Sequence, residues 1–367
     1  MRMRHRLVME LVWPGGELLG HASLDPDWDP AIEWTRLSGL RTHGVWAPAS
    51  QAERGIDALW HSELGEPFMR GFRVTLAHHT GTAWHEDFSI RYFAELARTA
   101  SASLIEKGTL APGDSYRYRT LAYEPDTAEP SVDSPLFSTV DLSPPLVLHD
   151  LPPAAVAGAT PRLSDAKADD FEVYTPNAVL EEASTLTAGA GDVETGGILI
   201  GHLGREPHTT QADDPSRSTM RPAEICVAIT ALIPARHTVG DSTKLTFTSD
   251  TWTDVRRAVE LRGRGEIVLG WFHSHPQHAW CREKGCPLEQ QRQCASAVGF
   301  FSTDDGALHR TMFPRAFTVA LVMTHSARGI LPRLFGWRDG LLEPRGYRLL
   351  AQPLFIGEMS HATPVAV

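Results

Sequence analysis

Long apolar runs, cysteine and clustered positive charge are all scarce in this chain of 367 residues. No stretch approaches the roughly 20 apolar residues that a membrane-spanning helix needs. The N-terminal run after Arg2, Arg4 and Arg6 resembles a signal peptide only briefly, because Glu10 interrupts it and Pro14-Gly15-Gly16 ends it too early. Four cysteines in a chain of this length do not make a disulfide scaffold. A reducing cytoplasm is therefore the expected compartment. No Lys/Arg run is present and the formal net charge is -11, so neither nucleic acid nor an anionic membrane surface is expected as a partner. The acidity belongs mostly to residues 1–150, which hold 13 Lys/Arg against 21 Asp/Glu. No internal repeat is visible.

What is present is ordinary globular composition, 42% hydrophobic and 22% charged, in a length that accommodates two domains. The first block reads as mixed α/β. Apolar runs at Leu7 to Trp13, Phe68 to Ala77 and Tyr116 to Tyr123 predict strands. Ile90, Phe93, Ala97 and Leu104 recur at helical spacing between Ser89 and Lys107, with Gly108 as a C-terminal cap. From Asp141 to Asp170, Pro-Pro pairs and Ala/Gly-rich and Asp/Lys-rich stretches resist regular structure. The domain boundary is placed there: an N-terminal domain at 1–148, a linker at 149–170, a second domain at 171–350 and a tail at 351–367.

In the second block strands and helices alternate. A helix is predicted from Thr175-Pro176 to about Leu186, with Pro at its first position and Gly189 and Gly191 closing it. Strands follow at Gly196 to Leu203, Ile225 to Ile233 and Lys244 to Thr248. Ser249 or Asp250 then caps a helix in which Trp252, Val255 and Val259 share a face. Ile267 to Phe272 and Phe317 to Met323 are continuous apolar runs of the kind buried on both faces of a sheet, and Leu331 to Leu350 suggests a final pair of strands.

The chemistry concentrates where the run Val268 to Phe272 leads into His273-Ser274-His275-Pro276. In extended chain, residues i and i+2 point to one side, so His273 and His275 can hold one metal while Pro276 ends the strand. A catalytic zinc takes three protein ligands and leaves one position open, so a carboxylate should complete the pair. Ser302-Thr303-Asp304-Asp305 offers Asp305, with neighbouring Asp304 as substitute and Ser302 one turn earlier. Hydrolysis also needs a base near the metal. Glu194, which opens Glu194-Thr195-Gly196-Gly197-Ile198, meets that need, and the paired glycines permit close backbone approach.

Together, Glu194 before a Gly-Gly strand, His273-Ser-His275-Pro, and Ser302-x-x-Asp305 resemble the signature of the JAMM/MPN+ (JAB domain) zinc metalloproteases, over about Phe171 to Leu350. The resemblance implies an α/β fold with a curved mixed sheet flanked by helices, beside the smaller N-terminal mixed α/β domain. It implies that His273, His275 and Asp305 hold zinc, that Glu194 is the acid/base, and that Ser302 stabilises the oxyanion. It also implies isopeptidase or peptidase action at the Gly-Gly tail of a ubiquitin-like protein. Such a protein or its conjugates, and the conjugation enzymes of the same system, are then the expected partners. A metal-free scaffold and a small-molecule amidase are the rival readings. Abundant Ala, Arg and Pro associate the chain with a bacterial conjugation or antiviral system.

Two features depart from the family pattern. First, 29 residues separate His275 from Asp305, an insertion that contains His278, Cys281, Cys286 and Cys294. These four soft ligands suffice for a second, structural zinc, and free thiols on a polar loop are the alternative. Second, Arg205 to Arg221 is a polar insertion that reads either as a substrate-gripping loop or as solvated chain. His309, one turn past Asp305, is a candidate to orient a ligand. His78, His79, His85, His202, His208 and His237 read as surface or satisfied core histidines.

Overall fold

The computed structural model describes residues 5–46, 53–78, 81–124, 146–156, 158–162, 167, 170–205, 224–236, 238–240, 245–354 and 362–364. It divides into two compact units, Met1–Pro144 with Asp339–Leu341 and Val367, and Pro145–Arg338 with Leu342–Ala366.

The first unit carries strands β1 (Arg6–Val12), β2 (Leu18–Leu24), β3 (Glu53–His61), β4 (Gly65–Ala77), β5 (Ala83–Ser89) and β6 (Arg117–Tyr123). They form an antiparallel sheet ordered β2-β1-β6-β4-β3, with β5 also on β4. Alternation puts Leu7, Met9 and Leu11 of β1 and Phe72, Val74 and Leu76 of β4 in the core. Helix α2 (Ala94–Glu106) follows a 3-10 turn at Ile90–Phe93, within the span predicted as one helix. Helix α1 (Asp29–His43) was not legible as an amphipathic repeat because Ala31 to Leu37 is an unbroken buried run that includes Glu33, Thr35 and Arg36. Its end signals are nonetheless ordinary: Pro30 in the first turn and Gly44 in the left-handed region at φ 67°.

The second unit is mixed α/β, built on a curled mixed sheet. Its strands are β7 (Val147–Asp150), β8 (Thr160–Arg162), β9 (Val173–Pro176), β10 (Gly196–Arg205), β11 (Ile225–Pro234), β12 (Thr238–Gly240), β13 (Leu245–Phe247), β14 (Ile267–His275), β15 (Val319–Ser326), β16 (Gly329–Arg338), β17 (Leu341–Arg345), β18 (Tyr347–Leu350) and β19 (Ala362–Pro364). The main order is β17-β16-β15-β14-β10-β11-β9-β18-β8, while β12 and β13 pair separately. The curl brings β16 near β8 and β18 across the helix that follows β9: Pro161, Tyr347 and Leu334 line one cavity with Leu180. Within 149–170, whose composition reads as linker, the described residues supply β8 and the end of β7 to the sheet. β7 runs parallel to the end of β10, and β8 pairs with β18 at the sheet's edge, where a strand holding Pro161 can still bond. In the tail, β19 pairs with β7.

Helix α4 (Asn177–Ala190) follows the short helix α3 (Pro153–Val156), and Pro176 is its extended N-cap rather than its first residue. The helix runs past Gly189 to end at Gly191, φ 66°. Helix α5 (Ser249–Arg262) is capped by Thr248, whose side chain accepts from Thr251 N, rather than by Ser249 or Asp250. The Leu331–Leu350 region holds three strands rather than two, because the chain turns again between Arg345 and Tyr347. The central strands β14 and β15 are buried on both faces, as their continuous apolar runs require. One face packs Ile198, Ile200, Trp271, Ala320, Val322 and Phe335 against Val255 and Phe313. β14 and β15 run parallel with Gly270 opposite Val319, and a Cβ at Gly270, φ +148°, would lie 1.8 Å from Val319 O. Only glycine lets the two backbones pair there.

Candidate metal centre

β14 delivers the two histidines. Trp271, His273 and His275 share one face of the strand, and the Trp271 and His273 rings stack with centroids 4.3 Å apart. β10 lies antiparallel beside it with Gly196 opposite His273. The pairing continues one residue further: Ser274 N donates to Thr195 O at 2.8 Å and Thr195 N to Ser274 Oγ at 3.0 Å. Glu194 adjoins Thr195 in sequence and is buried. A Cβ on Gly197 would meet Ile233 O at 2.6 Å and the Phe272 ring at 3.1 Å, so the glycine keeps β10 between its neighbours.

The insertion folds as α6 (Gln277–Glu283), α7 (Leu288–Gln293) and a 3-10 turn, after which α8 (Thr303–Met312) supplies the carboxylate. Ser302 and Asp305 form a capping box: Asp305 N donates to Ser302 Oγ at 3.0 Å and Ser302 N to Asp305 Oδ2 at 2.7 Å. Helix phase turns Asp305 inward, while Asp304 is exposed. His273 Nε2 then stands 3.1 Å from His275 Nε2 and 3.3 Å from Asp305 Oδ1, and His275 Nε2 is 3.5 Å from Asp305 Oδ2. A tetrahedral zinc about 2.05 Å from each ligand requires edges of about 3.3 Å. Each pair of side chains therefore stands near that spacing, the two imidazoles facing different oxygens of the one carboxylate, and two imidazoles with a carboxylate are a donor set that suits the ion. Among the described residues, His273, His275 and Asp305 are the group of three His, Cys, Asp or Glu whose ligand atoms converge, all within 4.8 Å.

The protonation states suit the same purpose. Burial lowers the His275 pKa, and His273 lowers it further, against the pull of Asp305. Burial opposes charge on Asp305, yet His273, His275 and the Ser302 N–H together hold its carboxyl far below the usual carboxylate range. A neutral imidazole and an ionised carboxylate are the forms that bind metal. Neither His273 Nδ1 nor His275 Nδ1 has a protein partner among the described residues. The rings are oriented by stacking instead, His273 on Trp271 and His275 against Phe300 at 4.6 Å and Trp280 at 5.3 Å.

His309 acts one step further back than its position suggests. It accepts a hydrogen bond at Nδ1 from Trp271 Nε1 at 3.0 Å, and its Nε2 lies 3.3 Å from Thr318 Oγ1. Burial, with Arg310 and His273 nearby, pushes its pKa down to about 3, which keeps it the neutral acceptor that Trp271 needs. It thus fixes the indole under His273 rather than a ligand itself. That aromatic frame was recoverable from sequence only through Trp271, two residues before His273; Trp280 and Phe300 are brought in by the insertion's fold.

The four soft ligands of the insertion do not gather as a set. His278 points away, its Nε2 3.2 Å from Asp192 Oδ1 and its Nδ1 3.1 Å from His325 O. Cys281 does interact with Cys294 and with Cys286. Of the remaining histidines, His78 and His202 are buried and His85 is exposed, none of them in the cluster. His79, His208 and His237, and the polar stretch 205–221 beyond Arg205, lie outside the described residues.

Comparison with protein-family models and with curated proteins finds no match to this sequence. Among solved structures, the chain is similar to the solution structure of protein DSY2949 from Desulfitobacterium hafniense, at 15% identity and a TM-score of 0.30, over 49% of this chain and 94% of that one. A likeness that slight has no bearing on the chemistry. Among the described residues, no helix is long and apolar enough to cross a membrane.

Proposed function

We propose that residues 171–350 are a JAMM-type zinc-dependent hydrolase that cleaves after the C-terminal Gly-Gly region of a ubiquitin-like protein, in deconjugation or precursor processing. The observation that carries this reading is the convergence of two imidazoles and one carboxylate, with the buried Glu194 next to Thr195, which bonds Ser274 between the two histidines. His273, His275 and Asp305 would hold the ion. Zinc in such a set supplies Lewis acidity and leaves one coordination position open. Glu194 takes a proton from the attacking water and returns it to the leaving amine. The Ser302 oxygen already accepts from Asp305 N, so its O–H is left to donate to an oxyanion. An extended tail adds as a strand beside the sheet. Partners on this reading are the ubiquitin-like protein, its conjugates and the enzymes that make them, in the cytoplasm of a bacterium.

Glu194→Gln separates this reading from its rivals. Zinc content by mass spectrometry should be unchanged and cleavage of a Gly-Gly-tailed fusion protein lost, whereas His273→Ala should lose both. Wild-type protein without zinc would make the chain a metal-free scaffold, and turnover of small amides alone would make it an amidase.

A further inference from the structure

The 29-residue insertion between His275 and Asp305 consists of short elements, with α6 only 7 residues long and α7 only 6. Helices of that length have little stability of their own in water. Yet this segment holds Trp280 against His275 with ring centroids 5.3 Å apart. Something must hold the segment together.

At its centre lie the buried Cys281 and Gln277, with the half-buried Cys286 and Cys294. Cys281 is buried and accepts a hydrogen bond from Gln277 Nε2 at 2.8 Å. Its thiol also reaches the sulfurs of Cys294 and Cys286. Gln277 extends to Cys294 as well, and Cys294 receives the backbone N–H and the hydroxyl of Ser296. The chain closes around these sulfurs: Cys286 N donates to Cys281 O at 2.9 Å, Gln291 Nε2 to Cys286 O at 2.8 Å, and Ala297 N to Cys294 O at 3.0 Å. Gln277 is 1% exposed, and its Oε1 has no partner among the described residues, an expensive state for a buried carbonyl.

We propose that Cys281, Cys286, Cys294 and Gln277 form a second metal site, a structural centre for zinc or another thiophilic divalent ion, distinct from the His273-His275-Asp305 centre. Three thiolates and the stranded amide oxygen, once the Gln277 amide turns over so that Oε1 replaces Nε2 toward the sulfurs, make four donors, the number a closed tetrahedral site takes. The sulfurs now meet pairwise through Cys281, and binding draws Cys286 and Cys294 onto one ion, with loss of the three thiol protons to solvent. The thiol nearest readiness is Cys294, held below its ordinary value by the Ser296 N–H, while burial and the neighbouring sulfurs push Cys281 up. His278 is excluded, since both its ring nitrogens are engaged by Asp192 and His325 O. The bound ion staples α6 to α7 and so holds Trp280 in place over His275.

The test is zinc stoichiometry of the full chain, purified under reducing conditions and measured by mass spectrometry. Wild type should carry two zinc ions, His273→Ala one, Cys294→Ser one, and the double variant none, with His278→Ala retaining both. Because Cys294→Ser could fail to fold, cobalt reconstitution of His273→Ala provides a second reading: a thiolate-to-cobalt charge-transfer band in the near ultraviolet is expected, removed as an organomercurial titrates the three thiolates. A Cys294→Ser protein with unchanged zinc, a His273→Ala protein whose cobalt form lacks the band, or a Cys281–Cys294 disulfide as the purified state would each overturn the site. Since the two centres are counted separately, loss of this one leaves the reading of the first untouched.

Discussion

Ser302 is where a structural and a chemical role can be pulled apart. Its Oγ accepts from Asp305 N at 3.0 Å, and its own backbone N donates to Asp305 Oδ2 at 2.7 Å. The second bond does not depend on the side chain, so Asp305 keeps its orientation when the hydroxyl is removed. Replacing an N-cap serine by alanine costs about 1 kcal/mol, but replacing it by glycine costs only a few tenths. If the O–H donates to an oxyanion, its removal costs roughly 10²–10³ in kcat, or about 2.7–4 kcal/mol at the transition state. Ser302→Gly should therefore leave the urea midpoint and zinc content near wild type while kcat on a Gly-Gly-tailed fusion protein falls at least 100-fold by that estimate. Ser302→Ala should lose the same turnover and about 1 kcal/mol of stability besides, and Ser302→Thr should retain much of both. A Ser302→Gly enzyme within a few-fold of wild-type kcat would leave Ser302 a helix cap and nothing more.

Two further outcomes follow from buried histidines. His309→Leu strands the Trp271 N–H, so stability should fall by about 1–3 kcal/mol and zinc affinity, read by chelator competition, by roughly 10-fold; unchanged affinity would remove His309 from the support of the centre. His202 is held at about 4 by burial first and by His149 next, with Glu266, Arg262 and Arg264 also acting on it. Its unfolded value is about 6.5, so between those two pH values the unfolded chain binds the extra proton. Stability should therefore fall as pH drops from about 6.5 to 4, by at most about 3 kcal/mol from this group. His202→Gln should flatten that slope in urea titrations, and an unaltered slope would assign it to other groups.

Much of the centre was legible in the chain because its elements are local. Alternation along β14 dictates that His273 and His275 face one way, and the serine three residues before Asp305 is itself a helix start signal. The strands β14 and β15 announce themselves as continuous apolar runs because both faces are buried. Helix α1 did not, since an unbroken buried run in which Glu33 and Arg36 pair with each other erases the amphipathic repeat. Nor did β7, β8 and β19, where pairing with a neighbouring strand overrides a proline-rich or featureless sequence.

Residue types and their short-range spacing are what the sequence by itself determined: two imidazoles on one strand face, a capped aspartate, and a glutamate ahead of a Gly-Gly strand. Only the tertiary structure decided which groups meet across tens of residues. It turned Asp305 and not Asp304 toward the histidines, bonded Thr195, next to Glu194, to Ser274, placed His309 behind Trp271, and sent His278 to Asp192 instead of to the cysteines. Helix and strand periods are fixed by local backbone geometry, whereas the packing of an insertion depends on whichever long-range contacts best bury its apolar and sulfur atoms.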